Sequence, residues 1–166
     1  MKIRALLITL ALCIFPAGAF GDEPSPAPAT TRVLSPNGTI TAISEPGDGT
    51  RIIESASGKE IWEMPGWYRS IFISNDGEHL AIGYSGMNLV PLETPDSLEL
   101  IGFWERGRKV KSLSLQAIVP DRSILQRTAS HYAWGNVRGI DSDNCLVVER
   151  VDGEVFRFNM VNGEAK

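Results

Sequence analysis

Two cysteines and two histidines among 166 residues leave little material for covalent bracing or metal chemistry. Cys13 lies in the N-terminal apolar stretch, so once that stretch is removed Cys145 stands alone and no intrachain disulfide forms. In "DNCLVVE" Cys145 is flanked by strand-forming residues and reads as a small buried hydrophobe. Neither His79 nor His131 has a second ligand at metal spacing, so no metal site is assigned. "NDGE" is too short for a calcium loop. Also missing are a Gly-x-Ser-x-Gly elbow, a Cys-x-x-Cys pair and a phosphate-cradling glycine loop, so no catalytic residue and no cofactor is assigned. Long apolar runs are scarce too. The one present, Ala5 to Phe15, falls short of the roughly 20 residues that span a bilayer.

That run belongs to "MKIRALLITLALCIFPAGAFG", which has the three parts of a secretory signal. Lys2 and Arg4 form the basic start, and Ala17-Gly18-Ala19 supplies small residues for cleavage after Ala19 or Gly21. Residues 1–21 are therefore read as a signal peptide, and the location as periplasmic or secreted by bacterial export. No membrane insertion is expected after cleavage. Residues 22–31 include "DEPSPAPATT", a proline-rich flexible leader with almost nothing to bury. Residues 32–166 are long enough for a single domain with its own core. Loss of Lys2 and Arg4 leaves 14 basic against 20 acidic residues, net −6. That balance speaks against nucleic acid as a partner, because its phosphates require clustered positive charge.

What is abundant is glycine at regular corners. "SPNGTITAI" (Ser35 to Ile43) matches "SNDGEHLAI" (Ser74 to Ile82) position for position in type, with Gly38 and Gly77 39 residues apart. A weaker third copy is "DSDNCLVVE" (Asp141 to Glu149), where Asn144 takes the glycine position because asparagine tolerates a left-handed backbone. A second strand–turn–strand element follows each copy, with Gly58, Gly107 or Gly163 at its turn. Alternation supports strands throughout: Ile71 with Ile73, Leu80 with Ile82, and Phe156 with Phe158 and Met160 each share a face. His79, just after its turn, is expected to face solvent.

The unit is a four-stranded antiparallel meander, and "SPNGTITAI…GTRIIESASGKEIWEM" with "ISNDGEHLAIG" resembles blades of a WD40- or YVTN-type β-propeller. The Gly-His and Trp-Asp signatures of WD40 blades are absent. The resemblance implies an all-β fold. Two fair copies and part of a third are too few for a closed propeller, which needs at least four blades. The expectation is an incomplete or open propeller; a β-sandwich or barrel is the alternative. Charged or irregular strand edges, or a homodimer formed through them, would manage the exposed pairing groups. The segment "SLSLQAIVPDRSILQRTASHYAWG" breaks the pattern, and a short helical turn is expected near residues 115–128.

Within that irregular segment, His131, Tyr132 and Trp134 sit beside Gly135 and form the candidate binding residues. Aromatic rings with polar edges on a loop suit a protein or glycan partner. The competing reading is that Tyr132 and Trp134 plug the junction between meanders. "ERGRKVK" reads as a basic, solvated hairpin tip. The functional expectation is an exported, non-enzymatic binding module for a protein or cell-envelope component. The alternative is a small secreted hydrolase or sugar-active enzyme with its site around His131.

Overall fold

The computed structural model describes residues 26–166, so the signal peptide and the first part of the leader lie outside the described residues. Residues 26–30 run without regular structure into the first of the fourteen strands among the described residues. Strands β1 (Thr31–Leu34), β2 (Ile40–Glu45), β3 (Gly49–Glu54) and β4 (Glu60–Met64) pair in chain order as an antiparallel sheet. The second sheet repeats the plan with β5 (Ile71–Ile73), β6 (His79–Gly83), β8 (Glu99–Glu105) and β9 (Arg108–Ser114). The third, β12 (Gly135–Ile140), β13 (Cys145–Arg150) and β14 (Val155–Asn159), has three strands, and an isolated bridge from Phe158 to Ala165 begins a fourth row.

The glycine corners recur as the sequence indicates. Gly38 and Gly77 have φ of 75° and 72°, and Asn144 occupies the same left-handed region at 58°. In the first two corners a serine ties the turn to the strand beyond it: Ser35 Oγ accepts from the Ile40 amide at 3.1 Å, and Ser74 Oγ from the His79 amide at 3.2 Å. Asp141 does the same in the third, accepting from the Cys145 amide at 3.0 Å. That third loop is one residue shorter, so its strand begins directly after Asn144.

The outer corners divide differently. Gly58 and Gly163 are equivalent, each donating its amide to the carbonyl four residues back, Glu54 and Asn159 respectively. Gly107 is not. It shares a two-residue turn with Arg106, and both have positive φ, 46° for Arg106 and 80° for Gly107, as a tight type I′ hairpin requires.

Stacking of the sheets buries two cores. Between the first and second sheets lie Ile40, Ala42, Ile52, Trp62, Ile71, Ile73, Leu80 and Ile82. Between the second sheet and the rest lie Ala81, Ile101, Phe103, Leu115, Trp134, Leu146, Val148 and Phe158. The middle sheet is covered on both faces, and β6 is accordingly apolar almost without alternation. Cys145 is fully buried and free. No sandwich or barrel closes among the described residues; the sheets stand side by side as an open array.

The irregular segment contains a one-turn helix, α1 (Leu115–Ile118), capped by the Ser114 side chain, and a 3-10 turn over Arg122–Ile124. Most of the remainder pairs into a small sheet that the repeat pattern does not foretell. There β10 (Gln126–Arg127) and β11 (His131–Ala133) join β7 (Leu89–Pro91), which lies in the loop between β6 and β8.

Candidate functional site

The inner strands β1, β5 and β12 each belong to a different sheet, and each pairs with a neighbour on one side only. Their free edges border a shallow groove where a closed propeller would have its axis. Val33, Leu34, Pro36, Phe72, Ile73 and Ile140 line one part of it, a recess of about 240 Å³. An adjoining cleft of about 90 Å³ is bordered by Ser70, Phe72, Tyr84, Met87, Trp134 and Val137. Phe72 on β5 is common to both. Leu34, 61% exposed, is the most exposed large apolar side chain in the groove. Burying it beneath a partner would contribute about 1.5–2 kcal/mol. Strand edges supply unpaired N–H and C=O groups, and the apolar lining supplies affinity; together they suit a polypeptide segment better than a small polar molecule.

The three candidate residues of the irregular segment part company. Trp134 is buried, with its indole N–H donating to the Met87 carbonyl at 2.7 Å. Its backbone bridges two sheets, donating to Asn88 and accepting from Val151. Tyr132 is half-buried against the larger core, paired with Val90. His131 is half-buried on the same short strand, with its ring nitrogen 2.9 Å from Ser130 Oγ and its amide donating to Thr128 Oγ1. Only Trp134 of the three borders the cleft described above.

His79 differs from expectation. It is buried rather than solvent-facing, and its Nδ1 lies 3.0 Å from Asp76 Oδ2. His79 is the first residue of β6, and its counterparts in the first and third sheets, Ile40 and Cys145, are buried as well, so this strand position faces inward in all three. Burial alone would raise the Asp76 carboxyl, but the Ser74 hydroxyl, the Glu78 amide and His79 hold it below the usual range. This cluster braces the Gly77 corner.

The basic hairpin tip is neutralised locally. Arg106 pairs with Glu78, Arg108 with Glu105, Lys109 with Glu99 and Lys111 with Glu164. Each basic side chain of the tip thus has a carboxylate partner within the chain. No group of three or more metal-ligating side chains occurs among the described residues, and none of their helices is long and apolar enough to cross a membrane.

Apart from Trp134, the residues that line the groove are not among the sequence candidates. The one signal in the sequence is the apolar pair Val33-Leu34 directly before a polar corner.

Sheet order, corner geometry and stacking define the molecule as an open array of propeller-type blades. A crystal structure of RRP9 WD40 repeats is similar to it over 86% of this chain and 39% of that one, with 14% identity and a TM-score of 0.46. A crystal structure of the eukaryotic initiation factor is similar over 84% of this chain and 31% of that one, with 20% identity and a TM-score of 0.45. The chain thus spans well under half the length of either structure. No family model matches the sequence, and no curated protein matches it.

Proposed function

We propose that the chain is an exported, non-enzymatic interaction module that holds a protein or cell-envelope component along its inner-strand groove. The observation that carries this reading is the convergence of three one-sided strand edges on an apolar lining at Phe72, Leu34 and Ile140. Export is supported by the basic start, apolar run and small-residue site of residues 1–21.

The test introduces a charge where it costs the fold least. Leu34→Glu leaves the two cores untouched, because Leu34 is exposed, yet it sets a carboxylate in the groove. Envelope extracts passed over immobilised wild-type chain should yield a partner that Leu34→Glu fails to retain, with the two proteins unfolding at the same urea concentration. Equal retention by both would remove the groove from the reading. N-terminal sequencing of the exported protein should begin at Phe20 or Asp22, and an intact Met1 would argue against export by signal cleavage.

A further inference from the structure

Between β4 and β5 the chain turns through Pro65-Gly66 and presents Trp67, Tyr68 and Arg69, all half-buried. Two of these side chains hold the segment that precedes β1. The Trp67 indole N–H donates to the carbonyl of Ala29 at 2.8 Å, and Arg69 Nη2 donates to the carbonyl of Pro26 at 2.6 Å. The guanidinium carbon of Arg69 lies 5.1 Å from the centre of the Trp67 ring, so the two donors form one stacked unit.

The spacing of the accepted carbonyls is informative. Pro26 and Ala29 are three residues apart, and a polyproline II helix has three residues per turn. Carbonyls at i and i+3 therefore lie on one side of such a helix, about 9 Å apart along its axis. The segment Pro26-Ala27-Pro28-Ala29-Thr30 is built for that conformation. Its prolines lock φ near −65°, and a residue preceding proline is driven to extended backbone. A polyproline II backbone has no internal hydrogen bonds, so carbonyls in it rely on donors from outside, which Trp67 and Arg69 supply here. All five residues of the segment remain exposed. Burial of their side chains is therefore not what holds them; the two donors are.

We infer that Trp67 and Arg69 form a reader for proline-rich, extended peptides, and that the chain's own residues 26–30 occupy it in cis. The recognised features are a preformed extended backbone and two carbonyls one turn apart, with no demand on side chains beyond prolines that fix the shape. This surface lies at the connection between the first and second sheets, and the inference stands independently of the groove. Any other proline-rich peptide must displace residues 26–30 to bind, so their occupancy limits access.

The test uses the full chain and a synthetic peptide of residues 22–31, DEPSPAPATT. The indole N–H resonance of Trp67 is identified in a ¹⁵N spectrum by its loss in Trp67→Phe. Replacing both Pro26 and Pro28 by glycine loosens the exposed leader without touching either core. In that double variant the peptide should shift the Trp67 indole resonance saturably, with a Kd at least tenfold lower than in the wild-type chain. A control peptide with all three prolines replaced by glycine should bind at least fivefold more weakly. Arg69→Ala, added to the loosened chain, should also weaken binding at least fivefold while the amide resonances of β6 and β8 stay in place. The inference fails if the loosened chain shows no saturable shift, or if the proline-free peptide binds equally well. It also fails if the Trp67 resonance is identical in the wild-type and loosened chains.

Discussion

The backbone amide of Asn37 donates to the side-chain carbonyl of Asn75 at 2.9 Å, joining the first glycine corner to the second across 38 positions of chain. Both residues occupy turn positions before their glycines. The repeat therefore not only recurs but is stitched to its neighbour through the matching turn, between residues one motif position apart. Asn75→Ala should cost about 0.5–1 kcal/mol, the net worth of an exposed hydrogen bond, read as a lowered urea midpoint with an unchanged slope.

Gly38 and Gly77 share a backbone conformation but not surroundings. An added Cβ at Gly38 meets nothing within 4 Å, whereas at Gly77 it lies 3.1 Å from Ile61 Cδ1 and 3.3 Å from Ile40 Cδ1. Both alanine variants bear the left-handed penalty of about 1–2 kcal/mol. Gly77→Ala should cost about 1 kcal/mol more, because two isoleucine tips must give way. Paired denaturation curves would show the difference, and equal midpoints would contradict it.

At the third corner the expected sign reverses. Asn144 holds a φ of 58°, and its side-chain oxygen is buried without a hydrogen-bond partner among the described residues. Asn144→Gly removes both defects. Relief of the unpaired oxygen and of left-handed strain should outweigh the added freedom of the unfolded chain, for a gain of about 1 kcal/mol. Asn144→Ala should be less stable than Asn144→Gly, since it sheds the same unpaired oxygen but keeps the left-handed strain.

Ser44 is fully buried, and its hydroxyl oxygen accepts from the Tyr68 amide at 2.7 Å and the Thr50 hydroxyl at 2.9 Å. It thereby fixes the connection between the first two sheets to the first sheet's own strands. Ser44→Ala strands the Tyr68 amide and should cost about 1–3 kcal/mol. Amide exchange at Tyr68 should accelerate along with the fall in global stability.

Acid should unfold the protein through its paired carboxylates. The Arg150 guanidinium holds the Asp152 carboxyl at about 2, below the ordinary 3.8, and Asp141 is lowered as well: burial works against it, while the Cys145 amide and Arg157 more than compensate. Groups depressed in the folded state stay ionised where the unfolded chain has already bound protons. Stability from Asp152 is therefore complete above pH 4 and lost as pH falls toward 2. Near-ultraviolet circular dichroism against pH should show the loss in that window, with a shallower slope in Asp152→Asn.

Much of the fold can be read along the chain because its corners are local events. Ser35 through Ile40 and Ser74 through His79 close on themselves with their own side chains, so residue type and spacing announce them before any packing exists. Alternation then assigns faces, and the faces of Ile71, Leu80 and Phe158 are as the pattern indicates. Gly58 and Gly107 both lie at the turns where the sequence places them, but glycine alone does not distinguish a two-residue turn from a longer one. The number of residues between paired strands tells them apart, and that number depends on register.

The candidate sites were less legible. Nothing within "HYAWG" reveals that Val90, 42 positions earlier than Tyr132, will pair with it, since that contact exists only after the middle sheet has formed. Likewise the burial of His79, shared with Ile40 and Cys145 at the same strand position, is visible only once the sheets are packed.

The sequence by itself determined where this chain turns and which side chains share a face, because left-handed corners and strand alternation are set by neighbours a few positions away. Tertiary structure alone decided that three strand edges border a common groove and that Trp67 and Arg69 meet the carbonyls of residues 26–30. Those relationships join segments far apart in sequence, and their geometry is fixed by how the sheets stack rather than by any local preference.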